Sequence, residues 1–314
     1  MNLIICQSPK YLEKSLSLFH EQSDSIILIR EVSGVYNFLI DNGFVEKKRL
    51  LFVPVYKRNN ILNLIKNIYV IKKFCFLNRN KFDDVYLFTN DNDFTTMSIL
   101  SSLSIKGKLY FEVFNELLIE NNFLVELLNK LAFNVKSFQC EKGQAYDFLK
   151  SDREKISIGF KVRDYSGVKY KVLCRDNIRN VLLVDSNDEE NLNLNCVQDV
   201  YLRILEYSRE SNISIYIKGH PRLGLSKTLQ GRENVTYLDS NIPFELLDLS
   251  KFDKVFGFYS TGLCCTQILS FSYSLLPLCK SKKEDYYKEY LKNNGFPLSS
   301  FIYSFNELHN VLDS

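Results

Sequence analysis

Short apolar runs in the first half of the chain alternate with longer segments in which apolar residues recur every three or four positions. The runs predict strands, and the longer segments predict helices. The predicted strands are Leu3–Cys6, Ser25–Ile29, Arg49–Val53, Asp84–Phe88 and Lys108–Phe111. The predicted helices are Pro9–Phe19, Asn60–Phe76 and Phe94–Leu103. Strands that alternate with helices indicate βαβ units and a parallel sheet.

The alternation stops at residues 140–178, which are polar and charged with little periodicity, and then begins again. The second set of predicted strands is Asn180–Val184, Ile213–Ile217, Val235–Leu238 and Lys254–Phe258. The second set of predicted helices is Cys196–Arg209, Pro243–Leu249, Gly262–Leu269, Glu284–Asn294 and Phe305–Leu312. We therefore expect an α/β chain with a first domain at 1–150, an inter-domain segment at 151–178 and a second domain at 179–314.

Composition narrows the class of protein. A net charge of +3 over 314 residues is too small to indicate a nucleic-acid-binding protein. The eight cysteines form no CxxC pair and no Cys/His ligand spacing, which argues against a zinc site and a disulfide framework and favours a reducing compartment. No segment has the length of a signal peptide's apolar region or of a membrane span. We expect a cytoplasmic protein, whose basic residues allow peripheral contact with the inner face of the membrane.

One of the three histidines stands at the end of a predicted strand. His220 follows the alternating run Ile213–Ile217 in the sequence Lys-Gly-His-Pro-Arg, whereas His20 and His309 lie in ordinary helical patterns. Ligands of open parallel sheets bind at the carboxyl ends of the strands. A lone histidine is more often structural, so the position by itself leaves both a structural and a functional role open.

Two further polar motifs follow predicted strands. Glu245 falls in the first turn of a predicted helix, where a carboxylate is also favoured by the helix dipole. Ser260 and Thr261 stand between a strand and a predicted helix, where they could bind a phosphate or simply cap the helix. A carboxylate suits a ribose diol, hydroxyls suit a phosphate, and a histidine suits developing phosphate charge. Together they indicate a nucleotide-sugar donor site; the Walker and Gly-x-Gly-x-x-Gly patterns are absent from the sequence.

Four segments resemble bacterial sialyltransferases of the GT-B type, most closely the lipooligosaccharide sialyltransferases of glycosyltransferase family 52. These segments are Asn2–Pro9, His220–Arg222, Phe258–Gly262 and Tyr290–Pro297. The resemblance reaches both ends of the chain and is densest at residues 180–300. It implies two Rossmann-like open parallel-sheet domains, with the active site in the cleft between them.

The resemblance also implies a set of contacts to CMP. The residues concerned are Lys218, Gly219, Pro221, Glu245, Ser260 and Thr261. Ser260 and Thr261 would bind the phosphate, and Glu245 would hold the ribose hydroxyls. Lys218 and Gly219 would lie near the cytosine.

The catalytic residues implied by the resemblance are His220 and a carboxylate. His220 would assist the departure of CMP by proton donation or by stabilising charge at the phosphate. Enzymes of this type invert the configuration at the anomeric carbon, so a carboxylate should deprotonate the acceptor hydroxyl. The family's Asp-Asp-Gly-like motif is replaced here by Tyr110–Glu116, in which Glu112 keeps one carboxylate. Asp188 is the rival and is slightly favoured, and either residue could instead be a cap or loop acid.

The sequence thus predicts a metal-independent, inverting sialyltransferase without a cofactor. It would move sialic acid from the donor substrate CMP-sialic acid to a terminal galactose, or a similar sugar, of a bacterial surface glycan such as lipooligosaccharide, O-antigen or capsule. Two alternatives stay open, namely a GT-B enzyme with another nucleotide-sugar donor and an inactive nucleotide- or glycan-binding homologue. A homodimer is compatible with the sequence, and no nucleic-acid partner is expected.

Overall fold

The chain divides into two compact units, Met1–Val168 and Lys169–Ser314. The computed structural model describes residues 1–6, 11–30, 32–56, 61–89, 94–113, 127, 131–132, 155–157, 167–186, 192–221, 223–265, 268–281 and 283–314. Within these ranges the side chains of residues 89, 94, 97, 111–113, 155–157 and 261 are outside the description.

The first unit contains a parallel sheet with six described strands. They are β1 (Asn2–Cys6), β2 (Ser25–Arg30), β3 (Leu50–Val53), β4 (Val85–Thr89), β5 (Leu109–Val113) and β6 (Lys155–Ser157). Their spatial order is β3-β2-β1-β4-β5-β6, and each neighbouring pair is parallel. This is the Rossmann order, in which the chain starts in the middle, builds one edge and then returns to build the other.

Helices cover this sheet. The described helices are α1 (Leu12–Glu21), α2 (Ser33–Asp41), α3 (Ile61–Leu77) and α4 (Phe94–Ser102). The helices α1 and α2 contact strands β1 to β3, and α3 packs against α4. Leu3, Ile5 and Leu87 from the strands share one buried cluster with Ile71 of α3 and Ile99 of α4. Strands covered on both faces need no polar face, which is why β1 and β2 are nearly continuous apolar runs.

The second unit repeats the same topology with five described strands. They are β7 (Arg179–Val184), β8 (Ile213–Lys218), β9 (Val235–Leu238), β10 (Lys254–Gly257) and β11 (Ser272–Ser274). Their order is β11-β10-β7-β8-β9, with parallel pairing throughout. The central strand β7 pairs with β8 on one side and β10 on the other, so the carboxyl ends of all three strands lie at one edge. The strand order reverses between β7 and β10, and such a switch point is where open α/β sheets bind ligands.

Three described α-helices complete the second unit. They are α5 (Leu194–Glu210), α6 (Glu284–Asn293) and α7 (Phe305–Asp313). Ile204 of α5 and Leu308 of α7 belong to the same buried cluster as Ile215 of β8 and Phe256 of β10. The central strands therefore pack against α5, which follows β7 in the chain, and against α7, which lies at the end of the given sequence. The patterns predicted all three helices and missed α2, β6 and β11, of which the two strands are only three residues long.

Two predicted helices of the second unit are wrong. Within Pro243–Leu249 only Phe244–Leu246 is helical, as a single 3₁₀ turn. The described part of Gly262–Leu269 is helical only up to Cys264, in the 3₁₀ turn Thr261–Cys264, and residues 266–267 lie outside the described residues. The two turns pack against each other: a Cβ added at Gly262 would lie 2.9 Å from Cδ1 of Phe244. Apolar residues here fill a gap between loops, so their spacing carries no helical period.

The stretch 151–178, for which the sequence predicts an inter-domain segment, contributes to both units. Strand β6 pairs with β5 in the first sheet. Tyr170 pairs with the loop after the Phe244 turn, because its N–H donates to the carbonyl of Leu246 (2.7 Å) and its carbonyl accepts from Asp248 (2.9 Å). The division between the units falls between Val168 and Lys169.

Candidate functional site

His220 sits on a small hairpin that leaves the carboxyl end of β8. The N–H of His220 donates to the carbonyl of Gly224 (3.0 Å), and the N–H of Gly224 donates back to the carbonyl of His220 (2.8 Å). Gly224 has φ +72°, a conformation that favours glycine. The N–H of Leu223 donates to Nδ1 of His220 (3.1 Å). Because Nδ1 accepts a hydrogen bond, the neutral ring carries its own hydrogen on Nε2.

Lys218 is the last residue of β8 and is only 2% exposed. Its ammonium donates to the carbonyl of Gly219 (2.8 Å) and to that of Ser240 (3.0 Å). Burial lowers its pKa from 10.5 to about 8, although Glu245 and Asp239 oppose that shift. Lys218 therefore holds the start of the hairpin and the loop before Glu245 at the same edge of the sheet.

Glu245 lies in the 3₁₀ turn Phe244–Leu246, close to two lysines. Burial lowers the pKa of both Lys218 and Lys169, and the negative charge of Glu245 opposes this lowering in each case. The ammonium of Lys169 donates to the backbone carbonyl of Glu245 (2.7 Å). The charged side chains of Glu245, Lys218 and Lys169 thus lie near one another at this end of the sheet, and a carboxylate can accept hydrogen bonds from a diol.

Ser260 follows β10 and caps the short turn Thr261–Cys264. Its hydroxyl accepts the N–H of Gly262 (3.2 Å), and the ring of Phe244 lies against Gly262. The ring of the preceding Tyr259 stacks on Tyr287 of α6, with centroids 4.1 Å apart. In this structure the Ser260 hydroxyl therefore caps the turn, as one of the two alternatives from the sequence predicts. The turn Thr261–Cys264 is too short to supply a helix dipole.

Asp185, which follows β7, is hydrogen-bonded to the chain on either side of the His220 hairpin. Asp185 is 2% exposed, and its carboxylate accepts from the hydroxyl of Tyr201 (3.0 Å) and the N–H of Ser226 (2.6 Å). Its own N–H donates to the carbonyl of Lys218 (2.9 Å). Tyr201 packs edge-on against Phe258, at the end of β10.

The structure gathers part of the predicted set and leaves part of it outside the description. The second unit contains the residues that end or follow β8, namely Lys218, Gly219, His220 and Pro221. It also contains Glu245 and Ser260, which lie on two turns in contact through Phe244 and Gly262. The backbone of Thr261 is in the same turn as Ser260, but its side chain is not described. Asp188 lies outside the described residues. Glu112 lies on β5 of the first sheet, with its side chain not described.

Sequence reasoning missed two residues of this edge. Lys169 stands in the irregular stretch before β7, and no pattern in the sequence marks it. Asp185 does carry a signal, because it follows the central strand directly, but its partners Tyr201 and Ser226 are 16 and 41 residues away. Together with the predicted residues they form an edge that offers a histidine Nε2–H, a carboxylate, a hydroxyl and two cationic groups.

Comparison with known families gives one match, and it falls on this edge. Residues 170–271 match the family described as alpha-2,8-polysialyltransferase (POLYST). The matched segment begins at Tyr170, runs from β7 through β10, and contains every second-unit candidate except Lys169. A search of curated protein sequences gives no match.

Several solved structures are similar to this chain over most of its length. The UDP-GlcNAc 2-epimerase of Methanocaldococcus jannaschii is 13% identical, with 100% of this chain and 91% of that chain covered and a TM-score of 0.51. A putative UDP-N-acetylglucosamine 2-epimerase of Listeria monocytogenes is 13% identical, with 100% and 88% covered and a TM-score of 0.52. Heptosyltransferase WaaC of E. coli is 9% identical, with 93% and 99% covered and a TM-score of 0.42.

These findings confirm the predicted fold of two parallel-sheet α/β domains, and the family match supports a sialyltransferase. The narrower assignment to glycosyltransferase family 52 stays a prediction.

The burial of Lys218 predicts a specific pH dependence of stability. The unfolded chain keeps the Lys218 proton up to pH 10.5, whereas the folded chain loses it at about pH 8, so the unfolded state binds more protons between these values. Stability should therefore rise through this window, by about 3 kcal/mol relative to Lys218→Met. Urea unfolding of both proteins at several pH values would measure this difference. Parallel curves would show that Lys218 is not the titrating group.

Proposed function

We propose that this protein is a sialyltransferase that transfers sialic acid from CMP-sialic acid to a sugar hydroxyl with inversion. The observation that carries the proposal is the gathering of the strand-end motifs at one edge of the second sheet, inside the segment that matches the polysialyltransferase family. A ligand with a base, a ribose and a phosphate needs contacts from several loops of one sheet edge.

The donor site is built from the loops after β8, β9 and β10. Ser260 and Thr261 bind the phosphate of CMP, and Ser260 can donate its O–H to a phosphate oxygen while its Oγ still accepts the Gly262 N–H. Glu245 holds the ribose hydroxyls, and Lys169, beside it, adds positive charge next to the anionic donor. Lys218, Gly219 and Pro221 shape the wall at the base of CMP.

His220 acts on the departing phosphate. The acceptor oxygen attacks the anomeric carbon of sialic acid, and the bond from that carbon to the phosphate oxygen of CMP breaks with its electron pair on the phosphate. The Nε2–H of His220 donates to this oxygen as charge develops on it. Such a donor is effective without a metal ion because it is oriented before the reaction, here by the Leu223 N–H at Nδ1.

A carboxylate must take the proton of the acceptor hydroxyl. Asp188 follows β7 closely in sequence, and Glu112 lies on β5, so both follow or end a parallel strand. We keep both as candidates, with Asp188 slightly favoured.

Replacing each by its amide, Asp188→Asn and Glu112→Gln, separates them, because only loss of the base should remove turnover while CMP still binds.

The acceptor is a sugar of a bacterial surface glycan. The resemblance of the sequence favours a terminal galactose of lipooligosaccharide, O-antigen or capsule, whereas the family matched by residues 170–271 is named for α-2,8 linkage, which favours a sialic acid acceptor. The matched segment lies in the second unit, which carries the donor motifs. A panel therefore needs both a galactoside and an α-2,8-linked sialoside.

We further propose that the enzyme works in the cytoplasm against the inner face of the membrane, through the outward face of α3. Among the described helices, none is both long and apolar enough to cross a bilayer. The outward face of α3 nevertheless exposes large apolar side chains: Ile61, Leu62, Ile65, Tyr69, Phe76 and Leu77. The 17 residues of α3 include three lysines and no acid. This combination of apolar and cationic side chains fits an anionic bilayer surface.

The role of His220 predicts the effect of its removal. His220→Ala should lower acceptor-stimulated CMP release by about 10²- to 10⁴-fold, because the leaving phosphate loses its proton or hydrogen-bond donor. CMP release from CMP-sialic acid, with and without the two acceptors, measures the effect. His309→Ala is the matched control, since His309 stacks on Tyr207 at a centroid distance of 4.3 Å in the same unit and should keep full activity.

Other outcomes of this assay point elsewhere. Protection of the protein by UDP- or GDP-sugars and not by CMP would indicate another nucleotide-sugar donor. Tight CMP binding without turnover on any acceptor would indicate an inactive binding homologue. Equal activity of His220→Ala and the wild type would remove His220 from the chemistry.

The α3 surface predicts lipid-dependent binding. The protein should co-sediment with vesicles that contain phosphatidylglycerol, bind much less to pure phosphatidylcholine, and lose binding as salt rises. Ile65→Glu should weaken this binding by about tenfold or more, because it removes a buried apolar contact and adds repulsion. Leu173→Glu is the control, since Leu173 is 94% exposed in the second unit. Equal binding of both variants, or a lower melting temperature of Ile65→Glu alone, would contradict this surface.

A further inference from the structure

Asp185 holds the His220 hairpin at both ends. The backbone N–H of Asp185 donates to the carbonyl of Lys218 (2.9 Å), two residues before His220. The carboxylate of Asp185 accepts the N–H of Ser226 (2.6 Å), two residues after Gly224. One residue at the end of the central strand therefore fixes the chain on either side of the five-residue hairpin.

The carboxylate of Asp185 is itself fixed. It is almost fully buried, and its other oxygen accepts from the hydroxyl of Tyr201 on α5 (3.0 Å). A buried carboxylate that accepts an amide N–H and a phenol O–H has little freedom to rotate, because leaving either bond would strand a buried polar group. The pKa of Tyr201 is accordingly raised well above 10, by burial first and by Asp185 next, so the phenol stays a donor.

The hairpin in turn decides the state of the His220 ring. The Leu223 N–H donates to Nδ1 from within the turn that the two His220–Gly224 bonds close. If the end at Ser226 were released, Leu223 would move, Nδ1 would lose its donor, and the ring would be free to carry its hydrogen on either nitrogen. A shift of about 1 Å in a reacting group lowers rates by about 100-fold.

We infer that Asp185 is a positioning residue for His220, acting through Ser226 and the hairpin to hold the imidazole in its Nε2–H form. This inference rests on the proposed function for its effect on turnover, whereas its structural content stands without it. No family match or sequence pattern assigns this role to Asp185.

Four variants test the inference. Asp185→Ala removes both described acceptors. Asp185→Asn keeps one oxygen for the Ser226 N–H and offers an N–H₂ to the Tyr201 oxygen, so it should rescue the hairpin. Ser226→Ala keeps the essential N–H and removes only a buried hydroxyl that has no partner in the described structure. Asp253→Ala is the matched control, since Asp253 accepts the N–H of Asn180 (2.7 Å) at the opposite end of β7.

Two readouts separate positioning from folding. Because the chain has three histidines, protein labelled with ¹⁵N-histidine shows three imidazoles, of which His220→Gln identifies one. The imidazole ¹⁵N shifts report which nitrogen carries the hydrogen. The second readout is acceptor-stimulated CMP release, with kcat and KM for CMP-sialic acid measured separately.

The expected result for Asp185→Ala is a mixed tautomer at His220 and a kcat lower by about 100-fold, with KM nearly unchanged. Asp185→Asn, Ser226→Ala and Asp253→Ala should keep the Nε2–H form and most of the activity. If Asp185→Ala fails to fold, Ser226→Pro, which removes the same N–H from the other side, replaces it.

Three results would overturn the inference. The first is a wild-type tautomer and kcat in Asp185→Ala. The second is an equal loss of kcat in Asp185→Ala and Asp185→Asn with the His220 tautomer unchanged, since Asp185 would then act in the chemistry itself. The third is an Asp253→Ala variant with the same tautomer change, since the effect would then be general. Absence of CMP release in the wild type would instead refute the proposed function, and the imidazole spectra would still decide the role of Asp185.

Discussion

Parallel pairing of β7 with both β8 and β10 is the constraint on which the rest of the second unit depends. It places the residues that follow these three strands at one edge, although they are separated by up to 75 residues in sequence, from Asp185 to Ser260. A parallel sheet needs a crossover between successive strands, and helices or long loops supply it. The chain therefore returns to the same edge of the sheet at the end of each strand, and a polar motif follows β7, β8 and β10 there.

Two buried charges stabilise this edge in different ways. The ammonium of Lys218 donates to two backbone carbonyls of different loops, and the carboxylate of Asp185 accepts from a backbone N–H and a phenol. A buried charge is tolerated only when hydrogen bonds replace its water. Each charge consequently fixes the loops that supply those bonds, so the loops after β8 and β9 have far fewer conformations than their polar sequences suggest.

The sequence predicts the strands of both sheets well, because a strand buried on both faces is a short apolar run whatever packs against it. It fails at the turns of Phe244 and Gly262, where it predicts two helices. There the apolar residues are spaced by contact between two loops, and this contact is visible only when both loops are in place. The positions of Lys218, His220, Glu245 and Ser260, at or after the ends of strands, could be predicted from the sequence, and their roles stay predictions. Asp185 and Lys169 could not be ranked in the same way, since their partners are distant in sequence.

The hydrogen bond at Nδ1 limits what His220 can do. A general base accepts a proton at a free lone pair, but Nδ1 already accepts the Leu223 N–H, and the neutral ring then carries hydrogen on Nε2. In this form Nε2 is a donor and suits a leaving phosphate oxygen. The proton of an acceptor hydroxyl needs a different acceptor, and a carboxylate meets that need. In the proposed mechanism the geometry of this one backbone N–H is therefore the reason to assign the donor phosphate to His220 and the acceptor hydroxyl to a carboxylate.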